Sequence, residues 1–127
     1  METTSLRAVI VDDEKNSCDI IQLMLQQYSP EIEIAGTADS CELGVTVIRR
    51  FHPQLVFLDL ELRDGMGISI LEKVQDENFE VIFVTAYEKK FLSAIRFSDL
   101  QIILKPADKH SLLKAIDKAK ENRLLKK

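Results

Sequence analysis

Four of the five short apolar runs in this sequence are followed directly by polar residues that could do chemistry. Asp12 and Asp13 follow the first run, Asp59 the third, Thr85 the fourth and Lys105 the fifth. Three carboxylates brought close together repel one another unless protons or a cation intervene. A hard dication such as Mg²⁺ relieves that repulsion and needs few protein ligands. A carboxylate beside Mg²⁺ can attack a phosphorus centre while the metal and a lysine neutralise charge on the transferred oxygens.

The apolar runs alternate with helical patterns, and this alternation predicts the elements that position the polar residues. Predicted strands are Leu6–Val11, Glu31–Ala35, Leu55–Leu58, Val81–Val84 and Leu100–Leu104, with Gly36 marking an end or a bend. Predicted helices follow Asp13, cover about residues 40–51 with Leu43, Val47, Ile48 and Phe51 inward, and lie around Ile68–Val74 and Phe91–Ile95. A last helix begins near Asp108, its predicted N-cap. Gly65 and Gly67 indicate a loop.

Five strands alternating with five helices predict an α/β fold with a doubly wound, five-stranded parallel sheet covered on both faces. A flavodoxin-like strand order, 2-1-3-4-5, would place strands one and three side by side at the switch point. Sites in such folds lie there, at the carboxyl ends of the strands. We therefore expect Asp12, Asp59 and Lys105 to converge on one edge of the sheet.

Length, charge and hydropathy limit the class of protein. The 127 residues fit one domain, and no apolar run approaches the ~18 residues that span a bilayer. The first residues lack the features of a secretory signal, so a cytoplasmic location is expected. A net charge of −4 argues against binding nucleic acid by this domain alone. Cys18 and Cys41 lack CxxC spacing, which favours packing over a disulfide or zinc site.

Five stretches of the sequence resemble the receiver domains of two-component response regulators. They are Ala8–Glu14, Leu55–Leu60, Asp64–Gly67, Ile82–Ala86 and Leu104–Pro106, in the family's order. The Asp12-Asp13-Glu14 run and Thr85-Ala-Tyr87 resemble receivers of regulators with a LytTR-type DNA-binding output. The resemblance implies that Asp59 is the phosphoacceptor.

The same resemblance implies roles for the other matched residues. Asp12 and Asp13 correspond to the pair that holds Mg²⁺ together with Asp59. Glu61 would supply a backbone carbonyl to the metal, and its side chain would tune dephosphorylation. Thr85 corresponds to the switch hydroxyl and Lys105 to the lysine that binds the phosphoryl group.

The family pattern leads to two expectations near Lys105, one about a peptide bond and one about a position where this chain departs from the pattern. The Lys105–Pro106 peptide bond is usually cis in the family. Receivers commonly carry a Tyr or Phe three residues before the lysine, whose rotamer tracks phosphorylation, but this chain has Ile102. Coupling through an aromatic flip at that position is therefore not expected, although Tyr87, Phe91 or Phe97 could substitute.

The resemblance further implies a signalling domain that catalyses only its own phosphorylation and dephosphorylation. The phosphoryl donor would be a sensor histidine kinase. The response would reach the surface of the fourth helix, fifth strand and fifth helix, a candidate homodimer face. We expect residues 1–127 to form one receiver domain, with a core of about 6–121. DNA binding would require an output domain absent from this chain, and no membrane contact is expected.

Three other functions share parts of this pattern. A haloacid-dehalogenase-type phosphatase also uses a strand-end Asp, a Thr, a Lys and Mg²⁺. Such enzymes have a second Asp two residues after the nucleophile as general acid, and this chain has Glu61 at that position. A receiver-like binding module that no longer uses phosphate is compatible with Ile102. A flavodoxin has the same fold, but no phosphate-binding loop rich in Ser, Thr and Gly follows strand one.

Overall fold

The computed structural model describes residues 5–86 and 101–125. In chain order the elements are β1 (Leu6–Val11), α1 (Lys15–Tyr28), β2 (Ile32–Ala38), α2 (Cys41–Phe51), β3 (Leu55–Leu58), β4 (Glu61–Leu62), β5 (Gly65–Met66), α3 (Ile68–Lys73), β6 (Glu80–Thr85), β7 (Gln101–Leu104) and α4 (Lys109–Leu125). The helix predicted around Phe91–Ile95 lies outside the described residues, as do Tyr87 and Phe97.

The central sheet is parallel, with strand order β2-β1-β3-β6-β7. The predicted order is confirmed, since β6 and β7 are the predicted fourth and fifth strands. β2 is added on one side of β1 and β3 on the other, so the strand order reverses between β1 and β3 and opens a crevice at the carboxyl ends of these strands. β4 and β5 form a separate antiparallel hairpin directly after β3.

Each face of the sheet carries its own apolar core because successive strand residues point to opposite sides. On β1, Ala8 and Ile10 belong to the core beneath α1 and α4, and Val9 and Val11 belong to the core beneath α2 and α3. All four side chains are at most 2% exposed. Burial on both faces explains why the inner strands β1, β3 and β6 have continuous apolar runs rather than alternating ones.

Two details differ from the sequence-based expectations. β2 continues past Gly36 to Ala38, with a register irregularity opposite Ala8 and Val9 instead of an end. A Cβ on Gly36 would lie 2.9 Å from the Phe51 ring, so the glycine lets α2 pack closely on the sheet. Leu43 was expected to face inward but is 44% exposed, because it lines an open depression between α1 and α2.

The N-cap prediction for the last helix is confirmed. Asp108 accepts a hydrogen bond from the backbone N–H of Ser111 at 2.8 Å and pairs with its hydroxyl at 3.0 Å. The N–H of Ser111 would otherwise lack a partner within the helix. The cap at Asp108 therefore sets the start of α4 a few residues after β7, and α4 packs on the sheet.

Candidate functional site

The backbone places the predicted site residues at one edge of the sheet. The N–H of Asp59 donates to the Val11 carbonyl at 3.0 Å, and the N–H of Lys105 donates to the Thr85 carbonyl at 2.9 Å. The N–H of Asp12 donates to Ala38 at the end of β2. Each residue is thus the first one past its strand and is tied to a neighbouring strand, so its side chain begins from a fixed position.

The Lys105 ammonium joins the carboxylates at this edge. Its Nζ lies 2.8 Å from Asp59 Oδ2 and 3.1 Å from Asp12 Oδ2, and it also contacts Glu14 Oε1. Burial of the ammonium disfavours its charge, but the hydrogen bonds to Asp59, Glu14 and Asp12 outweigh that effect and raise the pKa of Lys105. The lysine therefore stays charged and compensates the acids around it.

Asp12 and Asp59 are the buried carboxylates of the site, with residue exposures of 7% and 5%. Burial raises the pKa of Asp12, although the N–H of Glu14 at 2.8 Å and the Lys105 ammonium oppose the rise. Asp59 uses its two oxygens differently. Oδ2 faces Lys105, and Oδ1 accepts from the backbone N–H of Glu61 at 3.2 Å.

A cleft of about 430 Å³ opens over Asp59. Acidic residues line part of the cleft, and residues of the hairpin and the end of β6 line the rest. The lining residues are Asp13, Glu14, Asp59, Glu61, Leu62, Arg63, Thr85 and Ala86. Asp13 and Glu61 are exposed, whereas Thr85 is buried to 1% exposure. The predicted residues Asp13, Asp59, Glu61 and Thr85 therefore share one solvent-accessible cleft. Asp12 and Lys105 do not line it, but Lys105 contacts both Asp59 and Asp12.

Glu14 is a site residue to which the sequence analysis assigned no role. Carboxylate oxygens of Asp12, Glu14 and Asp59 lie within 4.8 Å of one another, and Lys105 contacts all three. The only signal in the sequence was a third acid directly after Asp13. The contact between Glu14 and Lys105 depends on the position of Lys105 at the end of β7, which local sequence does not specify.

The donor set fits a hard dication. Carboxylate and carbonyl oxygens are the ligands that Mg²⁺ prefers, and it usually keeps several waters besides one or two carboxylates. The exposed Asp13 and the buried Asp12 and Asp59 offer such oxygens around an accessible cleft. The clustering of carboxylates beyond what one lysine can neutralise is the observation that suits a bound cation.

The β4–β5 hairpin connects the Asp59 loop to α2. Asp64 accepts hydrogen bonds from the first backbone N–H groups of α2, those of Cys41 at 2.7 Å and Glu42 at 3.2 Å. These bonds lower the pKa of the Asp64 carboxyl. Arg63 pairs with Asp39 at 3.1 Å on the rim of the cleft. The hairpin, which the sequence analysis treated only as a loop, thus fixes one wall of the site.

Gly67 lies against the backbone of Asp59. A Cβ at this position would stand 2.0 Å from the Asp59 carbonyl oxygen, far inside van der Waals contact. Its N–H donates to the Leu60 carbonyl at 2.7 Å. The glycine therefore allows the hairpin to fold back onto Asp59, a stronger requirement than the turn predicted from sequence.

Two further features near Lys105 can be compared with the family pattern. The Lys105–Pro106 bond is cis, as the family pattern implied. Ile102 lies on β7 and is 36% exposed, so an aliphatic side chain occupies the surface position of the usual aromatic residue.

Fold and site together define a receiver domain, and comparisons with known proteins agree. A family model described as the response regulator receiver domain matches residues 8–117. The chain belongs to this family, whose members are signalling domains. The resemblance inferred from the five sequence stretches is confirmed.

Relatives and solved structures extend this result. The sensory transduction protein LytT of Bacillus cereus is 32% identical over 121 residues, which cover 93% of this chain and 48% of LytT. The transcriptional regulatory protein BtsR of Escherichia coli is 25% identical over 93% of this chain and 49% of BtsR. The response regulator PhyR from Brucella abortus has a TM-score of 0.80 at 26% identity, over 91% of this chain and 47% of PhyR. The chain spans about half the length of the curated relatives it matches.

A search for membrane-spanning helices within the two described ranges found none of sufficient length and apolar content.

Proposed function

We propose that this domain accepts a phosphoryl group on Asp59 from a sensor histidine kinase in the cytoplasm, with Mg²⁺ bound beside it. The observation that carries the proposal is the geometry of Asp59, whose carboxylate faces an open cleft and holds Lys105 at 2.8 Å. The proposed acceptor is thus buried at the base of a cleft through which a donor could approach, and the Lys105 ammonium holds it from another side.

The transfer balances with the groups present on kinase and receiver. A carboxylate oxygen of Asp59 forms a bond to the phosphorus of a phosphohistidine as the P–N bond breaks, and the bonding pair leaves with the imidazole nitrogen. Lys105 donates to a phosphoryl oxygen and offsets its charge. Water later attacks the acyl phosphate and releases inorganic phosphate, which restores the Asp59 carboxylate.

Asp12, Asp13 and Asp59, with the backbone carbonyl of Glu61, are the groups that would hold the metal. Mg²⁺ supplies charge neutralisation on the transferred oxygens. The chain's own contribution is to hold Asp59 in place through the N–H of Glu61 and the ammonium of Lys105. These contacts orient the acceptor before a donor arrives, which lowers the entropic cost of reaction.

The response would pass from Thr85 at the end of β6 to the surface formed by β7, α4 and the segment between β6 and β7. A phosphoryl group adds a charge of about −1.5 to −2 and three acceptor oxygens. Moving a two-state equilibrium from mostly off to mostly on takes roughly 5 kcal/mol. A few charge-assisted hydrogen bonds of about 1.5–3 kcal/mol each from Thr85 and Lys105 could supply it.

We propose that the output lies outside this receiver domain, because the chain spans about half the length of the relatives it matches. We propose that residues 1–127 form the receiver, with a core of about 6–121, and that it controls a DNA-binding domain or dimerises through the β7 and α4 face. LytT and BtsR, named for sensory transduction and transcriptional regulation, support an output of this kind. The chain covers 47% of PhyR, so a similar receiver fold also occurs within a longer response regulator.

Intact-mass spectrometry tests the acceptor directly. Wild type incubated with acetyl phosphate and Mg²⁺ should gain one labile phosphoryl adduct, and omission of Mg²⁺ should remove most of it. Asp59→Asn replaces the nucleophilic oxygen with an amide of equal size, so we expect no adduct and an unchanged circular dichroism spectrum. Full labelling of Asp59→Asn would refute the assignment. No adduct on wild type would favour a phosphate-independent binding module, and catalytic turnover of a phosphate ester would favour a phosphatase.

A further inference from the structure

Glu14 takes no part in the phosphoryl-transfer step proposed above, yet it contacts the lysine at the centre of the site. An ammonium has three N–H donors. Lys105 directs them to Asp12, Glu14 and Asp59, so the three acids together use the full donor set. The proposed function already gives two of these acids a role, Asp12 in binding the metal and Asp59 in accepting the phosphoryl group. Glu14 is the third acid, and it has no role in that proposal.

The side chain of Glu14 differs from the other two in its surroundings. It is 62% exposed, compared with 4% for the Asp12 side chain and 7% for Asp59. Glu14 occupies the N-cap position of α1, but its side chain makes no capping hydrogen bond there. The short side chains of Ser, Thr, Asp and Asn are preferred for capping at that position, and Glu is not among them. The Glu14 carboxylate instead reaches across to Lys105, 91 residues away along the chain.

We propose that Glu14 is a positioning residue that holds Lys105 in line with Asp59 throughout the phosphoryl-transfer cycle. The inference rests on the proposed acceptor function of Asp59. When Asp59 becomes an acyl phosphate, the donor it used passes to a phosphoryl oxygen, and Asp12 is also a metal-binding group. Glu14 is then the acid that has no proposed part in metal or phosphoryl binding, and among the described residues its carboxylate pairs with Lys105, so it keeps the ammonium from rotating away.

Steady-state phosphorylation by acetyl phosphate separates this role from a general charge effect. In Glu14→Gln the neutral amide holds Lys105 less tightly, so kcat should fall about tenfold, the effect expected for loss of one charge-assisted contact. KM should not rise, because the cleft loses a negative charge that repels the anionic donor. Glu14→Ala should lower kcat further, and Glu14→Gln should lie between it and wild type.

Asp19→Asn is the matched control. It removes one negative charge from α1, and Asp19 pairs with Lys15 rather than with Lys105. Its kcat should stay within about twofold of wild type, as for a surface charge. An equal fall in Asp19→Asn and Glu14→Gln would overturn the positioning role in favour of a long-range charge effect.

Two measurements do not depend on phosphorylation. In nitrogen-detected NMR of the lysine ammonium groups, the Lys105 signal, assigned by its loss in Lys105→Met, should shift and exchange faster with water in Glu14→Gln. Mg²⁺ affinity by calorimetry should change by no more than about threefold, the scale of one nearby exposed charge. An unchanged lysine signal, or a tenfold or larger loss of Mg²⁺ affinity, would overturn the proposal, the latter by identifying Glu14 as a metal ligand.

The outcomes for the two proposals are distinct. A wild type that gains no adduct, or labelling that persists in Asp59→Asn, refutes the acceptor function and with it the role of Glu14. A wild type labelled on Asp59 together with Glu14→Gln at the wild-type rate refutes the role of Glu14 alone.

Discussion

Asp12 is a buried carboxylate whose charge the fold tolerates because Lys105 and the N–H of Glu14 lie against it. Those contacts do not fully offset the loss of solvent, since burial raises the pKa of Asp12. A raised pKa means that the folded protein binds this proton more tightly than the unfolded chain does. Ionisation of Asp12 therefore destabilises the metal-free fold.

The sign of this effect predicts the behaviour of Asp12→Asn. The amide removes the buried charge, so the metal-free variant should be more stable than wild type near neutral pH. The gain should be absent below the ordinary Asp value of 3.8, grow as pH rises through the raised pKa, and stay constant above it. Urea denaturation at a series of pH values checks this. Saturating Mg²⁺ should stabilise wild type and not the variant, and a variant less stable than wild type at neutral pH would contradict the prediction.

At the scale of elements, the β4–β5 hairpin is held against β3 by contacts that leave no room at Gly67. Gly67→Ala would force a methyl group into the Asp59 carbonyl oxygen, which cannot move without displacing the acceptor. We expect a loss of roughly 2–3 kcal/mol in the free energy of unfolding, the cost of overpacking against backbone. Phosphorylation of whatever fraction folds should also be slower.

Gly36→Ala is the comparison for Gly67→Ala. Its added methyl group would meet the side chains of Phe51 and Val47 at 2.9 and 3.0 Å, and side chains can yield where a backbone cannot. The cost should be smaller, and phosphorylation should be unaffected because these contacts are far from Asp59 along the sheet. Equal stability losses in urea denaturation would show that the backbone near Gly67 adjusts more easily than its packing indicates.

The elements differ in how well the sequence predicts them. The strands that carry Asp12 and Asp59 were predictable because burial on both faces produces continuous apolar runs that end at polar residues. The strand before Lys105 was also predictable from its apolar run, although it lies at the edge of the sheet and is partly exposed. The hairpin was not, because strands of two residues have no periodicity to detect. The contact between Glu14 and Lys105 was also not predictable. It joins the start of α1 to the end of β7, and only tertiary structure brings these two points together.

At the scale of the whole molecule, one sheet separates two apolar cores. Ile10 is 2% exposed in the core beneath α1 and α4, and Ile48 is fully buried in the core beneath α2 and α3. Because both cores share the same strands, a defect in either one should weaken the entire domain. Two-state unfolding is the norm for single domains of this size.

Ile10→Val and Ile48→Val test this coupling. Each deletes one buried methylene and should lower the free energy of unfolding by about 0.5–1.5 kcal/mol. The double variant should lose the sum within about 0.5 kcal/mol, because the two sites lie on opposite faces of the sheet. Urea unfolding followed by both circular dichroism and tyrosine fluorescence should give one coincident transition. Separate transitions for the two probes would mean that the two cores unfold independently.

Two sets of ion pairs among the described residues should respond differently to salt. The side chains of Arg63–Asp39 and Lys15–Asp19 are about half exposed or more, and dissolved ions screen such charges over a Debye length of about 8 Å at physiological ionic strength. The Lys105 side chain is only 11% exposed and lies between the two buried acids. The contacts of Lys105 should persist at ionic strengths that weaken the exposed ion pairs. A salt dependence of the rate of phosphorylation by a kinase would then report on the encounter of the two protein surfaces, and the chemistry at Asp59 would be insulated from the ionic composition of the cell.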